Sequence, residues 1–298
     1  MTAWQPESGE TVLSRDKVIF ATGVAARVAG MRWFRDTERN DIQDELTGWP
    51  EGPQFTRRAE EKKRARAKRA TGFTLKAAFY LVVGILENLA GSGSVVKGPS
   101  TLGPPKDPEN EVEDFPVMWA GPGTLARTLP WQLDPARCPE KYHVEAVVTD
   151  RRLVVLGISE SEADREVSLW TVSRTDIDGA EEMPFSNVGM DLKIRFTDGS
   201  WCRLAPPSAE VIWTFPRYLA FDFELVRLDG LSLGQRNRVS DLNSKWRFIG
   251  NPVVTRRASG NYLIDAKTDS SLAPNGAESM FRAMGANGED VRFKPGDF

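Results

Sequence analysis

The spacing of apolar residues changes character along the chain. Val18, Ala21, Ala25 and Val28 fall at i, i+3, i+7 and i+10, with Val24 and Met31 beside them. That spacing predicts a helix within residues 11–33, capped near Ser14 and weakened by Gly23. Residues 41–46 fit a further turn or two, and Gly48, Pro50, Gly52 and Pro53 end it. Residues 73–90 are apolar except for one stripe, Lys76, Tyr80, Gly84, Glu87 and Asn88, which a helix places on one narrow side. Residues 91–110 are a linker by composition, rich in glycine, serine and proline. Beyond Trp119 the period becomes two. Residues 142–149, 153–158, 166–172 and 192–196 read as strands, with turns at Asp150-Arg151 and Asp198-Gly199 and a returning strand at 200–204. Pro206 and Pro207 end that sheet, and Ser208 is placed to cap a helix entering at Ala209. Its apolar face would be Val211, Ile212, Phe215, Leu219 and Phe223, with a kink at Pro216. After Gly230 the apolar residues come in isolated clusters, at 246–249 and 262–264.

These elements predict an α+β chain. N-terminal helices come first, then a small antiparallel β-barrel capped by a C-terminal helix, then a loop-rich tail. The expected division is a helical region at 1–90, a Gly/Pro-rich linker at 91–118, the barrel at 119–228 and the tail at 229–298.

The text of the first hairpin carries a resemblance. Val147-Val148-Thr149-Asp150-Arg151-Arg152-Leu153-Val154-Val155 resembles the T-D-x-R-L hairpin of bacterial pleckstrin-homology-like and GRAM-like domains. Val167-Ser168-Leu169-Trp170, with Val172 and Ile177, is similar to a later strand of that family, and the Asp198-Gly199-Ser200 hairpin and a final helix follow in the same order. The resemblance covers residues 120–228, about a third of the chain. It implies a binding platform whose signature residues here are Thr149, Asp150, Arg151, Arg152 and Leu153. Prolines at 122, 130, 135 and 139 depart from the pattern and obscure the first strand. Pro216 interrupts the closing helix.

Composition narrows the function classes only coarsely. The chain has 298 residues, 40% hydrophobic and 27% charged, and a net charge of −3, so local clusters rather than the global field must choose a partner. Arginine outnumbers lysine 27 to 12, a composition that fits a GC-rich bacterial genome. Two cysteines, Cys138 and Cys202, and no signal-like N-terminus point to a cytoplasmic setting, with a single bridge as the alternative in an oxidising one. His143 is the only histidine and lies in a predicted strand, so its expected role is structural. With Cys138 and Cys202 it lacks the paired spacing of a zinc site. Lys97 is followed by Gly98 and Pro99, which rules out a phosphate loop. The residues point to no catalytic centre, no metal and no cofactor. Of nine tryptophans, Trp119, Trp131, Trp170, Trp201 and Trp213 lie in or beside the barrel region, mostly as expected packing, with one or two available for contact.

The most biased stretch is basic. Arg57, Arg58, Lys62, Lys63, Arg64, Arg66, Lys68 and Arg69, less Glu60 and Glu61, leave +6 within thirteen residues. A helix there has cations all round and cannot bury a face, so it is solvated or lies on something anionic. The apolar run that follows, with Phe79, Leu81 and Ile85, has only ten uninterrupted apolar residues at 77–86, against the roughly 20 that span a bilayer. It is core, interfacial or, least readily, spanning. The order of these segments favours a non-catalytic adaptor or recruitment protein, cytoplasmic and peripheral on an anionic membrane, with the barrel as a protein-binding platform. The alternatives are a structural subunit that buries the apolar helix against a partner protein, and nucleic-acid binding through the basic helix. The last is weakened by the lack of interleaved aromatics. Neither the ligand nor the oligomeric state is encoded in these features.

Overall fold

The period-two region folds as two consecutive antiparallel meanders. The first is β5 (Tyr142–Thr149), β6 (Arg152–Ser159) and β7 (Arg165–Ser173). The second is β8 (Ile177–Met183), β9 (Asp191–Phe196) and β10 (Trp201–Ala205). Two local devices set the register. The Thr149 hydroxyl accepts from the amides of Arg151 and Arg152, 3.1 and 2.9 Å, which tightens the first turn. Gly199 takes φ +82°, the left-handed conformation that lets the chain reverse between β9 and β10. A single 3-10 turn, Arg174–Asp176, carries the chain from one sheet to the other.

The computed structural model describes residues 3–21, 34–50, 117–160, 165–183, 191–207, 214–269, 277–295 and 297. Among them are fourteen strands in three sheets. Sheet I has the order β1-β5-β6-β7, with β1 at Val12–Lys17. Sheet II has the order β3-β4-β10-β9-β8, with β3 at Phe34–Arg35, β4 at Met118–Trp119, and β2, Ile19–Phe20, pairing beside β4 on β10. The two sheets close on a shared core that includes Phe20, Phe34, Val144, Val155, Ile194, Phe196 and Leu204. Strands β5 and β6 are apolar on both faces for a physical reason. Val147, Val154 and Leu156 point away from that core and are covered by Trp4 and Val12.

Three expectations are corrected. Residues 12–20 are strands β1 and β2, not a helix, because their backbone pairs with β5 and β10 and Asp16 is held by Thr214 and Phe215, far along the chain. The two sheets form an open sandwich rather than a closed barrel, and β7 and β8 belong to different sheets. The tail is not loop-rich. It holds helix α2 (Leu233–Trp246) and sheet III, with the order β11 (Phe223–Leu225), β12 (Val253–Arg257), β13 (Tyr262–Asp269), β14 (Ala277–Met284). Helix α2 starts in a capping box, with Ser232 and Gln235 bonding each other's backbone, and packs Leu242 on Val254, Ile264 and Met284. The closing helix is reduced to one described turn, α1 (Pro216–Leu219); its expected start at Ala209 lies outside the described residues, and Phe223 is in β11. The basic run and the apolar run at 57–90 also lie outside them.

Strands β3 and β4 pair in parallel, Phe34 opposite Met118 and Arg35 opposite Trp119. Residues 51–116, an excursion between these two strands in the chain, thus leave from and return to the same sheet. Strands β1, β2 and β3, before residue 51, pair with β5, β10 and β4, after residue 116, in sheets I and II.

Candidate functional site

Two stretches that flank this excursion face each other across a cleft. One wall is Glu45, Leu46, Thr47 and Trp49, just before the chain departs. The other is residues 122–132, just after it returns, and Leu169 of β7 completes the lining. The cleft is a shallow groove, broadly open to solvent, with a volume of about 580 Å³.

The second wall is two successive 3-10 turns, Leu125–Thr128 and Trp131–Leu133, with Pro130 extended between them. The hairpin of sheet II holds the first turn. Asp198 accepts from the Leu125 amide at 2.6 Å and the Ser200 hydroxyl accepts from the Ala126 amide at 3.2 Å, so unpaired amides at the start of the turn are satisfied. Burial opposes ionisation of Asp198, yet the hydrogen bonds from Ser200 and Leu125 bring its carboxyl below the usual range. Ala126, Leu129 and Leu133 anchor this wall in the core. Thr128 accepts from the Trp170 indole at 2.7 Å.

Arginines tie the first wall to the second. Arg127 donates to the Ala120 carbonyl and to Glu45, both at 2.9 Å. Arg137 is paired with Asp134, donates to Gln43 at 3.0 Å and to the Pro50 carbonyl at 3.2 Å, and lies 5.2 Å from the Trp49 ring. Trp49 in turn packs on Phe20 and Phe34. The cleft thus has a fixed frame. Its lining combines aromatic and proline surface with threonine hydroxyls and the Gln132 amide, whose buried Oε1 accepts no hydrogen bond. Glu45 and Arg127, paired with each other, also line it, so the cleft offers ring and proline surface together with polar and charged groups. The prolines at 122 and 130, which obscure strand placement in the sequence, shape this wall.

The signature hairpin does something different. Its side chains hold the chain's own N-terminal segment. Arg152 grips Glu10 at 2.8 and 2.9 Å and Glu7 at 2.8 Å, and lies 5.9 Å from the Trp4 ring. Thr149 donates to Glu10 at 2.7 Å. Arg151 donates to the Gly9 carbonyl at 3.0 Å, and Asp150 accepts from the Thr11 amide at 2.8 Å. Leu153 is in the core. Burial opposes ionisation of Glu10, but the Arg152, Glu7 and Thr149 donors outweigh it and lower its carboxyl to about 2.

The remaining candidates are dispersed. His143 lies on β5 with Glu145 and Glu160 at 3.3 and 3.5 Å. Cys138 and Cys202 are free thiols, the second inside the core, and burial raises both. Among the described residues no three His, Cys, Asp or Glu side chains are grouped to hold a metal, and no helix is long and apolar enough to cross a membrane. Arg57, Arg58, Lys62, Lys63, Arg64, Arg66, Lys68, Arg69, Phe79, Leu81 and Ile85 all lie outside the described residues. Comparison with protein-family models, curated proteins and solved structures finds no match to this chain.

Proposed function

We propose that this chain is a non-catalytic adaptor for a membrane surface. The excursion of residues 51–116 contacts anionic lipid, and the β body beside it offers the cleft as a platform for another protein. One observation carries the reading. The +6 cluster and the apolar run sit on a single excursion whose ends are both fixed to sheet II and to the cleft walls. Near an anionic leaflet each cation contributes about 1 kcal/mol, and apolar residues add burial that salt does not weaken. The resemblance of the 147–155 hairpin to pleckstrin-homology-like domains adds support for the platform role.

Co-sedimentation with anionic vesicles tests it. Binding is expected to fall with rising salt without vanishing, since ions screen the cations over about 8 Å at physiological strength. Replacing Lys62, Lys63, Arg64, Lys68 and Arg69 by Gln should remove the salt-sensitive part. Leu81→Asp with Ile85→Asp should remove the remainder. A protein that ignores such vesicles at low salt is not a membrane adaptor. Tight, steeply salt-dependent DNA binding would then favour the basic segment as a nucleic-acid contact.

A further inference from the structure

The residues between sheet II and sheet III form a buried polar junction that the cleft and the excursion do not use. Its centre is the segment 214–218, which ends in α1. Asp16, on β1 of the sandwich, takes this segment from one side. One of its carboxylate oxygens accepts from the Thr214 amide (3.0 Å), the Thr214 hydroxyl (2.9 Å) and the Phe215 amide (2.6 Å). Asp265, on β13 of sheet III, takes it from the other. It accepts from the Tyr218 hydroxyl at 3.0 Å and from Arg217 at 3.4 Å. One short segment is therefore gripped by a carboxylate from each unit, and Tyr218 is 1% exposed between them.

Of the cations around it, few reach ion-pair distance of these two acids. Arg217 is the one cation in ion-pair range of Asp265, and no cation pairs with Asp16 among the described residues. Arg257, on β12, spends one nitrogen on the Arg217 carbonyl and lies 5.9 and 5.3 Å from the Tyr218 and Phe223 rings. Its Nε and Nη2 have no hydrogen-bond partner. Arg174 donates to the Tyr218 carbonyl and faces Phe223 and Asp222. Glu182 on β8 faces Arg217, and Asp297 faces Arg257. Asp16 is half-buried but closely surrounded by protein. Burial pushes its carboxyl up to about 6 against the hydrogen bonds from Thr214 and Phe215, and Asp265 pushes the same way. Burial raises Asp265 as well, more than Arg217, Tyr218 and Arg257 lower it.

We infer that Asp16 and Asp265 form a pH-responsive clasp on the segment 214–218, which holds sheet III against the sandwich more firmly in mild acid than at alkaline pH. Closing the junction favours the protonated acids. Parting it returns them to water and to ordinary acidity. If Asp16 alone supplied the effect, parting would be about tenfold less populated at pH 5 than at pH 8.

Hydrogen exchange of the full chain, corrected for intrinsic rates, reads this directly. Amides of β12–β14 should gain about tenfold in protection from pH 8 to pH 5, and at both pH values should be less protected than those of β5 and β6. Asp16→Asn keeps an acceptor for Thr214 and Phe215 and should flatten that dependence, as should Asp265→Asn, whereas His143→Gln should leave it intact. Wild-type sheet III with equal protection at both pH values would overturn the clasp. So would equal protection of sheets I and III, which would mean that sheet III parts only when the whole chain unfolds. A slope retained in the Asp16→Asn, Asp265→Asn double variant would overturn it too.

Discussion

Glu10 and Asp16 are six residues apart, one just before β1 and one on it, and the fold treats their charges in opposite ways. Both carboxyls are packed in protein, Glu10 buried and Asp16 half-buried, and both accept several hydrogen bonds. Glu10 also meets a guanidinium in two-pronged contact, and its side chain is ionised far below the ordinary range. Asp16 meets only amides and a hydroxyl, with a second acid nearby, and its side chain holds its proton to about pH 6. Hydrogen bonds alone therefore do not overcome burial at Asp16, whereas a paired cation does at Glu10. The N-terminal clasp is a fixed attachment at neutral pH. The sheet III junction is a poised one.

The sharpest way to break this contrast is to remove the cation. Arg152→Ala leaves Glu10 buried and unpaired, and should cost about 3 kcal/mol in urea unfolding at pH 7. Adding Glu10→Gln should recover part of that loss, since an amide is less costly to bury than a lone charge. Glu10 has its folded value near 2, below its ordinary 4.5, so its stabilisation is full above pH 4.5 and drains away as pH falls through 2. The Arg152→Ala penalty should shrink over that window.

Asp16 has the reverse sign. Its folded value near 6 lies above the ordinary 3.8, so its contribution is complete below 3.8 and is lost as pH rises through 6. Asp16→Asn should therefore stabilise the protein at pH 8 by about 1–2 kcal/mol and make little difference at pH 4, as read from thermal or urea midpoints. The smallest effect is expected at His143, which also stands beside two carboxylates but only half-buried. His143→Ala should change stability by less than about 1 kcal/mol and leave vesicle binding unaltered.

What the sequence made legible follows from how local each cause is. The strands at 142–173 and 191–205 are short β-branched and aromatic runs with turns set by Thr149 and Gly199, so residue type and turn chemistry suffice to place them, whereas the acidic residues of β8 read as a loop. The sequence assigns most of strand β1 to a helix because Val18, Ala21, Ala25 and Val28 recur at helical spacing and Ser14 can cap them. Asp16 is satisfied by Thr214 and Phe215, almost two hundred residues away, and no local pattern carries that. Sheet III hid for a similar reason. The face it turns to the sandwich carries Arg257 and Asp265, charged residues that composition assigns to solvent. One signal there was available: Ser232 followed by Gln235 is a capping box. The cleft was not legible, since its walls come from residues 45–49 and 122–132 and meet only because β3 pairs with β4.

That pairing also changes what the first fifty residues are. Strands β1, β2 and β3 join sheets built otherwise from residues after 117, through β5, β10 and β4. Phe20, Phe34 and Trp49 bury aromatic surface against each other in that common core. The segment thus behaves as an intramolecular ligand: it recognises the remainder by backbone ladders and by aromatic anchors, as a separate peptide would. Cutting the chain within the excursion would convert one protein into a pair of fragments that complement each other.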